Sequence, residues 1–221
     1  MKLNKRIHFA SQFIFAAVRE IFLIRHGETD YNNRGIVQGK GVNPPLNEKG
    51  RWQAQQFFNR FRNENFDIVF TSTLKRAIET VKGFIDLKIP HKEFMELDEI
   101  GWGKFEGREV DSLFRHEFKR IVNEWQNGNY NICTEGGETP YELMQKHLRF
   151  IEMLRTRTEK KILVCMHGRA LRIMLCTMLN KPLSEMDNFP HHNLSLYRVN
   201  DNGKYFELTH FNDLQHLHAE V

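Results

Sequence analysis

The stretch Glu20-Ile21-Phe22-Leu23-Ile24 runs straight into Arg25-His26-Gly27-Glu28-Thr29. A short apolar run that ends in a polar, glycine-containing segment reads as a buried strand feeding a loop. The pattern recurs twice. Residues 66–70 (FDIVF) lead to Thr71-Ser72-Thr73 and then to Arg76, in the first turn of a helix marked by Leu74, Ala77, Ile78 and Val81. Residues 161–166 (KILVCM) lead to His167-Gly168-Arg169 and a helix from about 169 to 179.

Outward from these three strands, the remaining elements follow from periodicity. Ala54, Phe57, Phe58 and Phe61 fall at helical spacing within 46–63. Val110, Leu113, Phe114, Phe118, Ile121, Val122 and Trp125 mark one face of a helix over 110–125. Thr139-Pro140-Tyr141-Glu142 is a capping box with proline at the first helical position, and opens a helix over 139–158. Residues 194–199 and 204–209, joined by Asn200-Asp201-Asn202-Gly203, read as a hairpin. Strands alternating with helices predict a layered α/β fold. Its sheet is expected to be largely parallel and flanked by helices on both faces, with a C-terminal hairpin near one edge.

The composition bounds the function. With 221 residues, 40% of them hydrophobic and 27% charged, the chain suits one α/β domain and not a disordered protein. The net charge is +4, and Lys2, Lys5, Arg6 and Arg19 supply it within an acid-free 1–19. The rest is formally neutral, which argues against a nucleic-acid partner. Cys133, Cys165 and Cys176 are few and form no C-x-x-C pair, so a cytoplasmic setting is expected. No apolar run reaches the length of a membrane span. A basic start followed by the mostly apolar 7–18 loosely copies a signal peptide, but His8, Ser11 and Gln12 interrupt it. The expectation is an N-terminal extension over 1–18, either tail or helix, and a single domain over 19–221.

In open α/β sheets, ligands gather beyond the carboxyl ends of the strands. Arg25, His26, Arg76 and His167 would meet there beside two helix N-termini. Guanidinium forks and helix N-termini both favour tetrahedral oxyanions, so the convergence predicts a phosphate pocket. An arginine in a helix's first turn opposes the macrodipole, and a bound anion would resolve that conflict.

These residues carry a resemblance. Arg25-His26-Gly27-Glu28-Thr29 with Asn32 looks like the signature of the histidine phosphatase superfamily, the phosphoglycerate mutase-like enzymes. Further segments match in order: Gln38-Gly39 with Leu46, Ser72-x-Leu74-x-Arg76-Ala77 with Thr80, Leu97-x-Glu99 before Phe105-Glu106-Gly107, and His167-Gly168-x-x-x-Arg172. The resemblance implies that His26 attacks phosphorus and becomes a phosphohistidine. Arg25, Arg76 and His167 would hold the phosphoryl oxygens, and Glu99 would protonate the leaving alkoxide and later deprotonate the attacking water. Thr29, Asn32, Gln38, Gly39 and Gly168 match positions near the phosphate or substrate. No metal or other cofactor is expected, because cationic side chains take that role.

The implied function is hydrolysis of a small phosphorylated metabolite. A cofactor-dependent phosphoglycerate mutase is the alternative, and a non-catalytic phospholigand-binding protein a lesser one. Val37-Gln38-Gly39, Ile100-Gly101-Trp102-Gly103 and His167-Gly168-Arg169 all depart from the usual mutase segments. Glu28 reads as structural, Glu138 as a partner for an arginine, and Arg169 as either a substrate contact or a solvated surface residue. Six residues separate Cys165 from Arg172, where a tyrosine-phosphatase motif needs five, so Cys165 reads as strand packing rather than a nucleophile. Residues 35–41 (GIVQGKG) miss the P-loop spacing. His191, His192, His210, His216 and His218 lack metal-site spacing and read as surface residues.

Overall fold

The computed structural model describes residues 18–218. The extension expected over 1–18 therefore lies, except for Val18, outside the described residues. Six strands form one sheet in the order β3-β2-β4-β1-β5-β6. They are β1 (Arg19–Arg25), β2 (Ile68–Thr71), β3 (His91–Glu93), β4 (Lys161–Met166), β5 (Leu196–Asp201) and β6 (Phe206–Asp213). β1 pairs with β4, and β2 with both β4 and β3, in parallel. The antiparallel β5–β6 hairpin joins the other side of β1 and ends the sheet. The layered, largely parallel sheet with a C-terminal hairpin at one edge is what the sequence predicts.

Alternation along each central strand sorts side chains to two cores. Ile21, Leu23, Ile68, Phe70, Ile162 and Val164 face one side. Phe22, Ile24, Val69, Leu163 and Cys165 face the other. All are essentially inaccessible to solvent, which is why these strands read as continuous apolar runs rather than alternating ones. The first core is covered by α5 (Ser112–Gln126), α6 (Pro140–Arg155) and α7 (Gly168–Met178). The second is covered by α2 (Glu48–Phe61), α3 (Lys75–Thr80) and α4 (Lys82–Asp86). A short α1 (Asp30–Arg34) follows β1.

The predicted capping box at Thr139 is present, with reciprocal bonds to Glu142 of 2.9 and 3.1 Å. Three expectations need correction. The edge strand β3 is absent from the sequence reading, because His91-Lys92-Glu93 is short, polar and largely exposed. Leu113 is 60% exposed: it lies about 100° around α5 from the buried row Phe114, Ile121 and Trp125. His216 is not a surface histidine. It is buried against the rings of Phe57 and Phe61, at centroid distances of 5.2 and 5.7 Å.

Two features generate predictions. Gly27 and Gly50 lie back to back where the loop after β1 crosses the start of α2. A Cβ on Gly50 would sit 2.0 Å from the Glu28 carbonyl oxygen, and one on Gly27 would sit 2.6 Å from that of Gly50. Alanine normally helps a helix, but here it must displace backbone. Gly50→Ala is expected to cost about 1–3 kcal/mol in urea unfolding, where an exposed helical glycine would gain stability. His147, on the buried face of α6, has no hydrogen-bond partner for either ring nitrogen among the described residues, and burial pushes its pKa down to about 3. Below the unfolded value of 6.5, only the unfolded chain takes up that proton, so stability falls as pH falls through this window. Between neutral pH and about pH 5, His147→Leu should lose about 2 kcal/mol less than the native chain, as measured by paired urea titrations.

Candidate active site

Strand register assembles the site. Arg25 is opposite Met166 in the β1–β4 pair, and Thr71 is opposite Cys165 in the β2–β4 pair. The His26 amide then donates to the Met166 carbonyl at 3.0 Å, and the Ser72 amide to the Cys165 carbonyl at 3.2 Å. His26 and His167 therefore leave adjacent strands at the same level, with Ser72 on the third strand one residue short of it. The two imidazole centroids are 5.0 Å apart.

His26 is almost fully buried, and its Nδ1 lies 2.7 Å from the Gly27 carbonyl oxygen. A carbonyl only accepts, so Nδ1 carries the proton and Nε2 keeps its lone pair. Burial, then the charges of Arg76 and Arg25, holds this histidine well below its usual pKa, so it is neutral at physiological pH. The loop that carries it is tied down twice. The Gly27 amide donates to Thr80 Oγ1 at 2.9 Å, and Asn193 Nδ2 donates to the His26 carbonyl at 2.9 Å.

Arg76 is completely buried. Its Nη1 and Nη2 donate to the carbonyls of Val42 (2.9 Å) and Gly39 (3.2 Å), and its Nε donates to His167 Nδ1 at 3.2 Å. Burial lowers its pKa to about 10, which leaves it a cation at neutral pH. Since an arginine cannot accept, His167 Nδ1 is unprotonated, and the ring proton lies on Nε2, 2.7 Å from Ser72 Oγ. His167 is also held well below its usual pKa, chiefly by burial and next by Arg76. Arg25 donates through Nη1 to the His191 carbonyl at 2.6 Å. Its buried Nε has no hydrogen-bond partner among the described residues.

Glu99 closes the ring of groups, 7% exposed. Its Oε1 accepts from the amides of Ile100 and Ala170, both at 2.9 Å, and its Oε2 from that of Arg169 at 3.1 Å. It thus sits on the N-terminus of α7, one residue beyond His167, where amide donors and the helix dipole welcome a carboxyl group. Its charge is also the leading influence that sustains the cationic form of Arg25 and of Arg76 against burial.

Arg25, His26, Arg76 and Glu99 line a cavity of about 220 Å³ together with Asn32, Gln38, Gly168 and Arg169. Three residues expected at the phosphate or substrate stand outside that lining. His167 lies behind it, bonded to Arg76 Nε and Ser72 Oγ. Thr29 is buried as the cap of α1, with its hydroxyl 3.2 Å from Asn32 Oδ1 and 3.0 Å from Gln38 Oε1. Gly39 supports Arg76 through its carbonyl, and a Cβ there would meet the Glu106 carboxylate at 2.1 Å. Glu138 pairs with Lys146 and Lys40, not with an arginine. Glu28 is structural, bonded to Asn47 and Lys49. Arg169 is not solvated: it is 8% exposed and bonded to Asp187 at 2.7 Å.

Sequence reasoning missed two parts of the cavity. His191, read as a surface residue, is half-buried against Gly168 and lines the cavity, its pKa pushed down to about 2 by burial and by Arg25. On the aromatic side, Phe114 and Phe118 were legible only as an apolar helix face, and Trp102 only as part of a segment that departs from the mutase pattern.

The comparisons agree with this architecture. The sequence is 28% identical to "Phosphoserine phosphatase 1" of Hydrogenobacter thermophilus, over 80% of this chain and 83% of that protein. It is 31% identical to "Probable phosphoglycerate mutase GpmB" of Yersinia pestis, over 81% and 84% of the two chains. The fold superposes on the alpha-ribazole phosphatase of Shigella flexneri with a TM-score of 0.78 and 27% identity, covering 88% of this chain and 96% of that one. The profile of the histidine phosphatase superfamily (branch 1) matches residues 21–214, and the chain belongs to that superfamily.

Proposed function

We propose that this chain hydrolyses small phosphomonoesters through a phosphohistidine formed on His26. The observation that carries the reading is the state of that side chain: neutral, fixed by its Nδ1–H bond to Gly27, and flanked by Arg25 and Arg76. A buried imidazole with a free Nε2 is a competent nucleophile near neutral pH. Names among the relatives include phosphoserine phosphatase and alpha-ribazole phosphatase, which supports a small phosphorylated metabolite as substrate.

In the first step, His26 Nε2 forms a bond to phosphorus while the bond from phosphorus to the leaving oxygen breaks. The departing alkoxide takes a proton from Glu99, which gains that proton as the phosphoryl anion enters beside it. Water then gives a proton back to Glu99 and attacks phosphorus, and the phosphorus–nitrogen bond breaks to restore neutral His26. Arg25, whose Nε is unspent, and Arg76 stabilise the equatorial oxygens by charge and position, which is most of what phosphoryl transfer requires. His167 holds Arg76 through its bare Nδ1; when Arg76 Nε turns to a phosphoryl oxygen, His167 can donate to the phosphoryl group only by moving its ring proton from Nε2 to Nδ1. Asn32, Gln38 and Gly168 contact the substrate. Thr29 and Gly39 act behind them, through Asn32, Gln38 and Arg76. The two arginines take the place of a metal ion.

Water is the favoured acceptor, since Trp102 lines the cavity where the resemblance leads one to expect a mutase's polar grip. Residues 19–221 form the catalytic domain in this reading, with 1–18 as an extension, and no nucleic acid takes part. The three cysteines are unpaired, in keeping with a reducing cytoplasm.

His26→Ala is expected to abolish turnover and phosphoenzyme with little change in the urea midpoint. In the native enzyme, quenching after brief exposure to labelled substrate should give an acid-labile, alkali-stable label. An acid-stable label would point to serine or threonine instead. Because His26 is held below 6.5, phosphoenzyme formation should not fade as pH drops through that value.

Glu99→Gln separates catalysis from capping. An alkyl phosphate, whose leaving oxygen needs a proton, should slow by about 10² to 10⁴. Phosphoryl transfer from p-nitrophenyl phosphate should slow far less and show a burst of p-nitrophenol before slow dephosphorylation. Equal losses on both esters without a burst would make Glu99 only the cap of α7.

A further inference from the structure

The cavity has two chemically different ends. Arg25, His26, Arg76 and Glu99 make one. Trp102, Val110, Phe114 and Phe118 dominate the other. With the phosphoryl group assigned to Arg25, His26 and Arg76, the alcohol portion of the substrate is what remains to meet the apolar lining.

This end is preformed. The Trp102 amide donates to Glu106 Oε1, and its carbonyl accepts from Thr134 Oγ1, both at 2.8 Å. Phe114 and Phe118 lie one turn apart on α5, with centroids 5.5 Å from each other, and Phe118 is 5.4 Å from Trp102. Phe105 packs behind Phe114 at 5.1 Å. A flat apolar group would meet ring faces and edges already fixed by their neighbours, which lowers the cost of binding it.

The same end offers poor provision for a carboxylate. Its cation is Arg169, which is already paired with Asp187, while its guanidinium lies 5.5 and 5.8 Å from the ring centroids of Trp125 and Phe118. A second charge set among these rings would lose its hydration, while Arg169, the lining arginine not assigned to the phosphoryl group, is already paired with Asp187.

We propose that the alcohol portion of the substrate carries an aryl or heteroaryl ring, selected by Trp102, Phe114 and Phe118, and that alcohols bearing a carboxylate are disfavoured. This rests on the phosphatase reading above. It concerns what the cavity binds, and so it can be tested apart from turnover.

The experiment has a kinetic and a binding arm. Benzyl phosphate and O-phosphoserine both release alkoxides that need a proton, so their comparison isolates the side group. The expected kcat/KM for benzyl phosphate is about tenfold or more above that for phosphoserine. Phe118→Ala, at a half-buried position, should narrow that ratio by about tenfold. Val110→Arg, which sets an unpaired cation in the wall, should shift the preference toward phosphoserine. In the binding arm, benzylphosphonate should bind more tightly than 3-phosphonopropionate and change the tryptophan fluorescence. Equal or better use of phosphoserine, together with tighter binding of 3-phosphonopropionate, would overturn the substrate class and leave the phosphatase intact. Selective binding of benzylphosphonate with no hydrolysis of either ester would overturn the phosphatase reading and uphold the recognition.

Discussion

The register between β1 and β4 is the constraint on which the site depends. Their parallel pairing sets Arg25 beside Met166, so that the next residue on each strand is a histidine. A slip of one residue would turn every side chain of β1 to the opposite core and separate His26 from His167 by a pleat. Six consecutive registered pairs, with both faces buried, make that slip prohibitive. The precision of the site is therefore inherited from hydrophobic packing several residues away from any polar group.

On that row, the polar groups fix one another's protonation. Gly27 determines which nitrogen of His26 is bare. Arg76 determines the same for His167, from a position secured by the carbonyls of Gly39 and Val42. The cost is concentrated positive charge in a buried place, and Glu99 offsets part of it from the start of α7. A dianionic phosphoryl group would neutralise the remainder, which is the physical sense in which this cavity is complementary to its ligand. Burial lowers the proton affinity of both histidines and of both arginines, but a guanidinium starts so high that only the histidines become neutral.

Away from the row, the second half of the cavity comes from elements with no part in the sheet. The segment after Glu99 and helix α5 bring aromatic rings over the pocket. Asp187, from the segment after α7, ties Arg169 and Arg172 together beneath them. Such peripheral elements can vary while the strand ends stay constant, which is how one scaffold serves different leaving groups.

The three central strands, the helices that follow them and the residues at their carboxyl ends were legible in the sequence, while the short polar edge strand β3 was not. Apolar runs and helical periodicity are local signals, and the Arg25-His26-Gly27 and His167-Gly168 segments sit directly at their ends. The capping box at Thr139 was legible for the same reason. What only tertiary structure decided depends on groups distant in the chain. Whether Thr29 faces the ligand or caps α1 depends on Gln38 and Asn32, and whether Arg169 is solvated depends on Asp187. Whether His191 lies at the surface depends on the approach of Gly168, and the burial of His216 on two phenylalanines of α2. A polar side chain carries no periodic signature of its surroundings. Its role is set by whichever partners the packed sheet brings within hydrogen-bonding distance.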